Sequence, residues 1–100
     1  MKRLPKYLLK ELNNAIEEAK EPDDHYDDWE IQVHHYGSPQ NHIYYYGKSL
    51  NDALEEIPSS YSHTNKNGAN LVVIQIKKQK IDEHEDIVDT HWIYELEMTK

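Results

Sequence analysis

The sequence lacks cysteine and phenylalanine, and its 100 residues include only three glycines and four prolines. Without cysteine, neither a disulfide framework nor a cysteine-ligated zinc site can form. Only 37% of the residues are hydrophobic even with the eight tyrosines counted, so the core must be small and rich in Tyr, Trp and Ile. No stretch approaches the roughly 20 apolar residues that a membrane-spanning helix needs. We therefore expect one small domain over residues 1–100, cytoplasmic and not bound to a membrane.

Positive charge is also scarce. Nineteen Asp and Glu residues against eleven Lys and Arg residues give a formal net charge of −8 at pH 7. Binding to nucleic acid depends on cations that displace counterions from phosphate, so this balance argues against direct binding of nucleic acid. It favours a protein partner with a basic surface, because opposite potentials raise the rate of encounter. An acidic surface that only keeps the protein dispersed is the alternative interpretation.

Hydrophobic spacing predicts two helices and four strands in the order α-β-β-α-β-β. Residues 4–20 have the three- and four-residue spacing of an amphipathic helix, and Pro5 suits its first position. Ser49, with Asp52 three residues later, is a candidate N-cap of a short second helix. The predicted strands are 29–36, 42–47, 71–79 and 87–98. We expect a two-layer α+β fold, a mainly antiparallel four-stranded sheet with both helices on one face.

The segments between these elements are polar. Residues 37–41 predict a turn, and the Ser- and Asn-rich residues 58–70 predict a mobile loop. The sequence has one basic patch, a run of three lysines within four positions. Two of them lie at the end of the third predicted strand and one follows it. They are Lys77, Lys78 and Lys80. Such a run is typical of a solvated strand end that discourages edge-to-edge pairing.

Three consecutive tyrosines in the segment HIYYYG form the first candidate functional surface. Strand alternation puts Ile43 and Tyr45 on one face, which we expect to meet the helices. Tyr44 and Tyr46 would then project outward, joined by Tyr36 of the preceding strand. Such an aromatic face can stabilise the sheet by cross-strand pairing, form a protein interface or stack nucleic-acid bases. Acidic neighbours disfavour the third interpretation.

The acidic segment 21–30, EPDDHYDDWE, is the second candidate surface, and a further acidic block lies at 82–89. The aspartates of segment 21–30 could steer a basic partner, while the aromatic pair within the same segment could supply the desolvated anchors of an interface. Solvated faces and linkers are the alternative interpretation. The predicted partner-binding residues are Asp23, Asp24, Tyr26, Asp27, Asp28, Trp29, Tyr36, Tyr44 and Tyr46.

No pattern indicates catalysis, a metal or a cofactor. No serine lies in a G-x-S-x-G context. The GKS at 47–49 lacks the upstream glycine of a phosphate-binding loop, since His42 stands at that position. The seven histidines show none of the fixed short spacings of zinc sites, and the aspartates of the acidic segment lack the glycine and final glutamate of an EF-hand. We therefore predict a non-enzymatic protein with no catalytic residues, no bound metal and no cofactor.

The overall character of the chain is small, acidic, tyrosine-rich and cysteine-free. It is similar to that of phage and mobile-element proteins that inhibit host defence or repair enzymes, such as anti-CRISPR proteins and uracil-DNA glycosylase inhibitors. This similarity is one of composition and carries no residue positions across. The leading hypothesis is an inhibitor or regulator that occupies a basic surface of a partner, with acidic side chains imitating nucleic acid. The alternatives are a self-associating module that forms a homodimer through its tyrosines and a strand edge, and then a small metal-dependent enzyme.

Overall fold

A computed structural model describes residues 4–37, 40–63 and 70–99. The elements are α1 (Lys6–Lys20), β1 (Asp28–Tyr36), β2 (His42–Gly47), α2 (Leu50–Glu55), β3 (Leu71–Ile81) and β4 (Ile87–Thr99). Their order is the predicted one. The predicted turn and loop include residues 38–39 and 64–69, which lie outside the described residues. Within the described ranges, no helix is long and apolar enough to cross a membrane.

The four strands form one antiparallel sheet in the order β2-β1-β3-β4. β3 is the most apolar segment and pairs with β1 on one side and β4 on the other, as expected for a central strand. β2 and β4 are the edge strands. The predicted α+β fold, with four antiparallel strands and two helices, is confirmed.

Both helices pack on the same face of the sheet and share one hydrophobic core with it. α1 contributes the apolar stripe that its sequence spacing predicts. The buried residues of this stripe are Leu8, Leu12, Ala15, Ile16 and Ala19. α2 adds Ala53 and Leu54, and the strands beneath add fully buried side chains such as Ile74 and Ile76. Burying each large aliphatic side chain contributes about 1.5–3 kcal/mol, so this face supplies most of the hydrophobic stabilisation.

The two helices begin differently. Pro5 has an extended ψ of 150° and lies just before α1 as its N-cap, so the prediction that it occupies the first helical position is wrong by one residue. Its carbonyl accepts hydrogen bonds from the backbone N–H groups of Leu8 and Leu9. In α2, the Ser49 hydroxyl accepts a hydrogen bond from the Asp52 N–H at 3.3 Å. The predicted N-cap of the second helix is therefore confirmed.

A β-bulge in β2 decides which of its side chains face the helices. The register against β1 passes from Tyr45 to Ile43 and leaves Tyr44 as the extra residue. Tyr44 is half-buried and packs against the core, whereas Ile43 is 52% exposed. The predictions that Ile43 meets the helices and that Tyr44 projects outward are wrong, because one extra residue reverses the alternation of the strand. Tyr45 packs against the core as predicted.

Gly47 allows the hairpin to close onto α2. A Cβ at this position would lie 2.5 Å from the Tyr45 hydroxyl oxygen, so a side chain here would displace the tyrosine ring. That hydroxyl accepts a hydrogen bond from the Ser49 N–H at 3.0 Å. The glycine therefore lets Tyr45 cover the entry to α2.

Candidate partner-binding surfaces

The acidic segment connects α1 to β1 and is attached to the end of β3. The Asp27 carboxylate accepts a hydrogen bond from the Ile81 N–H at 2.8 Å. The Lys78 ammonium donates to the Glu21 carbonyl at 3.0 Å and lies 3.6 Å from the Asp23 carboxylate. The backbone N–H of His25 and the Lys78 charge lower the pKa of Asp23 against the opposing effect of burial. The segment is therefore held to the sheet by specific contacts.

Asp28 and Trp29, both predicted to contact a partner, make contacts within the molecule. The Lys48 ammonium lies 2.7 Å from the Asp28 carboxylate. Burial raises the pKa of Asp28, but the hydrogen bond from Lys48, the hydrogen bond from the Trp29 N–H and the Lys48 charge together outweigh burial, so the pKa is lowered. Trp29 is half-buried against the core, and the ammonium groups of Lys20 and Lys48 lie 5.9 and 5.6 Å from its ring centroid. These contacts stabilise this corner of the fold, and the role of the two residues in binding a partner stays a prediction.

His25 and Tyr26 join the acidic segment to β4. His25 Nε2 lies 2.7 Å from Asp89 Oδ2, and this contact lowers the pKa of the Asp89 carboxyl. The Tyr26 ring stacks on His91 with centroids 5.9 Å apart. Burial and then the negative charge of Asp89 raise the pKa of the Tyr26 hydroxyl. Tyr26 is thus a half-buried aromatic side chain at the border between the two acidic blocks.

These contacts bring the two acidic blocks of the sequence together at one end of the molecule, here called the acidic end. Its carboxylates are Glu17, Glu18, Glu21, Asp23, Asp24, Asp27, Asp82, Glu83, Glu85, Asp86 and Asp89. All but Asp82 are exposed, and they outnumber the lysines among them, which are Lys20, Lys78 and Lys80. The sequence shows both blocks, but their meeting depends on contacts between residues more than fifty positions apart.

The sheet face opposite the helices, here called the open face, carries a hydrogen-bonded polar network. The Glu30 carboxylate accepts hydrogen bonds from the side-chain amides of Gln32 at 2.8 Å and Gln79 at 3.2 Å. Gln32 is also hydrogen-bonded to His34 through its side-chain oxygen. Burial and then the Lys77 charge lower the pKa of His34. Sequence reasoning identified none of these polar residues as a group.

Two lysines of the basic run are buried, so the prediction of a solvated strand end is wrong for them. Lys77 is 7% exposed and Lys78 is 8% exposed. Lys77 lies on the open face, with its ammonium 4.9 Å from the Trp92 ring centroid, and burial lowers its pKa although Glu30 opposes the shift. The reason is that β3 is central, so neighbours on both sides cover the lysine stems.

The structure separates the tyrosines that were predicted to share one surface. Tyr46 is 69% exposed on the open face, opposite Gln32. Tyr36 is half-buried on the same face, where it stacks on His34 and its hydroxyl accepts a hydrogen bond from Gln75 at 3.5 Å. Tyr44 lies on the helix side instead. The open face therefore presents Tyr36 and Tyr46 without Tyr44.

A groove of about 490 Å³ runs between α1 and the edge strand β4 and overlaps the acidic end, with which it shares Glu17, Glu18 and Glu21. Its lining is Glu11, Asn14, Ala15, Glu17, Glu18, Glu21, Ile93 and Tyr94. The Tyr94 hydroxyl donates a hydrogen bond to the Glu11 carboxylate at 2.9 Å. Burial and that carboxylate raise the pKa of Tyr94 to about 12. Sequence reasoning missed this acidic groove, because its two walls are far apart in the chain.

Among the residues that the structure describes, no group of three or more His, Asp or Glu side chains could hold a metal ion. Comparison of the chain with protein-family models, with curated proteins and with solved structures finds no match. Three surfaces are distinguished by their geometry and charge: the acidic end, the open face and the acidic groove.

Proposed function

We propose that this chain is a non-enzymatic protein-binding module, an inhibitor or regulator whose acidic end occupies a basic surface of a partner protein. The observation that carries the proposal is the meeting of the two acidic blocks at one end of the molecule. Grouped exposed carboxylates create a negative potential that attracts a basic partner and orients its approach. A basic surface that otherwise holds nucleic acid fits this chemistry, because carboxylates can compete with phosphates for Lys and Arg side chains.

The residues of the acidic end divide into those that hold it together and those that remain available to a partner. Asp23, Asp27 and Asp89 are engaged by groups of the protein itself. Asp24 and Glu83 are exposed, and the Glu83 carboxylate lies 3.6 Å from Nε2 of the adjacent, exposed His84; we assign Asp24 and Glu83 to the contact surface. Tyr26, half-buried between the blocks, is the candidate anchor, since interface energy concentrates in such aromatic side chains.

The proposal is tested by reversing charge at the acidic end without disturbing the contacts that hold the acidic segment to the sheet. Immobilised protein is used to capture partners from a cell extract at about 50 mM salt, with elution at about 500 mM salt, a change that strongly alters screening. The purified partner is then titrated calorimetrically with the Asp24→Lys/Glu83→Lys variant. We expect affinity to fall on the order of tenfold at low salt, and the difference to shrink at high salt.

The matched control is Glu55→Lys/Glu56→Lys, which makes the same change in net charge at the exposed C-terminal end of α2. This variant should keep most of the affinity, because its new charges lie away from the acidic end. Equal losses in the two variants would mean that only net charge matters. A partner whose binding is indifferent to salt and to both variants would contradict the proposal.

A further inference from the structure

We propose that the open face of the sheet is a binding site for a neutral oligosaccharide, with a polar centre at Lys77 and Glu30 and aromatic side chains at its edges. This surface is separate from the acidic end, so the inference goes beyond the proposed function and does not depend on it. The observation that carries it is the buried side chain of Lys77, whose ammonium makes no hydrogen bond with any described residue.

Lys77 occupies the middle of the open face. Its partners in register are Glu30 on β1 and Trp92 on β4. The lysine is 7% exposed, and its ammonium lies 4.9 Å from the Trp92 ring centroid. Lys77 is not one of the described residues with an enclosed side-chain atom that lacks a partner, so its nitrogen reaches the surface. An ammonium has three hydrogens to donate, so a ligand above it must offer acceptors.

Glu30 supplies a hydrogen-bond acceptor beside this donor. The hydrogen bonds that its carboxylate accepts from Gln32 and Gln79 both go to the Oε2 atom. A carboxylate has about four lone-pair sites on its two oxygens, so capacity for a ligand remains. The centre of the open face therefore presents a donor and an acceptor side by side. A hydroxyl group both donates and accepts, so the neighbouring hydroxyls of a sugar match this pair of side chains.

The charges around Lys77 favour a neutral ligand. An anion would be repelled by the carboxylates of Glu30 and Glu95 and by the net charge of −8. A cation would be repelled by the Lys77 ammonium, which also lies over one side of the Trp92 ring. A neutral ligand that is rich in hydroxyl groups avoids both penalties and still forms the hydrogen bonds that the centre offers.

Within the described ranges, the exposed large apolar side chains of the open face lie at its two edges. Trp92 on β4 is 49% exposed, and Tyr46 and Ile43 on β2 are exposed to a similar or greater extent. The two edge strands are three strand spacings apart, about 14 Å. A protein interface usually has an apolar centre and a polar rim, which is the reverse of this arrangement. A sugar chain across the strands would stack its rings on the edge aromatics and place its hydroxyls over the polar centre.

The test is a titration of isotope-labelled protein with neutral oligosaccharides of glucose, of mannose and of N-acetylglucosamine, followed by nuclear magnetic resonance. The chain has two tryptophans, and Trp29 packs against the core on the other side of the sheet, so its indole N–H signal is an internal control. We expect the indole signal of Trp92 to shift with at least one of these sugars and that of Trp29 to stay in place. Binding should be weak, with a dissociation constant on the order of 1 mM, because an open sheet face encloses little of the ligand.

Four variants locate the site. Trp92→Ala removes the stacking ring and should weaken binding at least about tenfold. Lys77→Met keeps a long apolar stem but removes the ammonium, and it should weaken binding several-fold. Tyr46→Ala should also weaken binding, whereas Tyr7→Ala, the same change at an exposed tyrosine of α1, is the matched control and should bind as the original protein does. If the Lys77 variant does not fold, the two tyrosine variants, both at exposed positions, still test the site.

Three outcomes would overturn the proposal. The first is an unmoved Trp92 indole signal with all three sugars. The second is equal binding by Tyr46→Ala and Tyr7→Ala together with unchanged binding by Trp92→Ala, which would place the sugar elsewhere. The third is a dimer in light scattering whose dilution moves the Trp92 signal, because the open face would then belong to a second copy. Asp24→Lys/Glu83→Lys should bind the sugar normally, so this inference and the proposed function can fail independently.

Discussion

The two faces of the central strand β3 are almost equally buried and yet consist of different chemistry. Its helix-facing residues Ile74 and Ile76 are 0% exposed, while Gln75, Lys77 and Gln79 on the open face are 4–7% exposed. The isoleucines lie beneath the helices, in the hydrophobic core. The polar residues are covered by long side chains of the neighbouring strands. Among the described residues, burial on the open face therefore arises within the sheet itself, and no second layer covers it.

This difference shows that burial and stabilisation are separate properties of a position. The side-chain nitrogens of Gln75 and Gln79 donate to Glu95 and Glu30, at 2.9 and 3.2 Å. Within the described part of the chain, the side-chain oxygens of both glutamines are buried without a hydrogen-bond partner. An unpaired buried acceptor costs free energy, which offsets part of the gain from the other hydrogen bonds. The helix face therefore supplies the stability, whereas the open face presents polar surface at little net gain.

The largest effect is expected on the helix face. Ile74→Ala should lower the free energy of unfolding by about 2–5 kcal/mol, because it removes buried methyl groups and leaves a cavity under the helices. Urea unfolding followed by circular dichroism measures this change. A loss below about 1 kcal/mol would mean that the core collapses around the cavity and that the two faces differ less than their chemistry indicates.

A smaller effect is expected one residue later, on the open face. Gln75→Leu removes an amide that makes two hydrogen bonds but also removes its unpaired oxygen, and Glu95 remains exposed to water. The free energy of unfolding should therefore change by no more than about 1 kcal/mol, in the same urea experiment. A loss as large as that of Ile74→Ala would show instead that the polar network acts as a second core.

The sequence predicts the helices and strands of this fold better than it predicts which side chains face the helices. The spacing of Leu8 and Leu12, the N-cap at Ser49 and the apolar run of β3 predicted the helices, strands and sheet, because each signal is local. The faces of β2 were predicted wrongly at Ile43 and Tyr44. A single extra residue reverses the alternation there, and the sequence carries no signal that marks its position.

The candidate surfaces were only partly predictable for a related reason. The charge of both acidic blocks is visible in the sequence, but the acidic end exists because contacts such as the one between His25 and Asp89 join them. The acidic groove likewise needs Glu11 and Tyr94 to meet across the two layers. Local patterns give the chemistry of a segment, whereas its neighbours depend on the packing of the whole chain.

A predicted effect confined to high pH lies at the rim of the helix face, where Tyr94 donates its hydroxyl hydrogen to Glu11. The pKa of Tyr94 is about 12 in the folded protein against an ordinary value of 10.0, so the folded state holds this proton more tightly than the unfolded state. Its contribution to stability is therefore complete below pH 10 and declines as the pH rises from 10 towards 12.

Tyr94→Phe has no hydroxyl to ionise, so its free energy of unfolding should decline less steeply in this range. Urea unfolding of both proteins, below pH 10 and between pH 10 and 12, gives the difference between their free energies of unfolding at each pH. The other tyrosines and the lysines titrate in both proteins, so their effects cancel in this difference. Parallel curves for the two proteins would mean that the carboxylate of Glu11 does not hold the Tyr94 proton in the folded state.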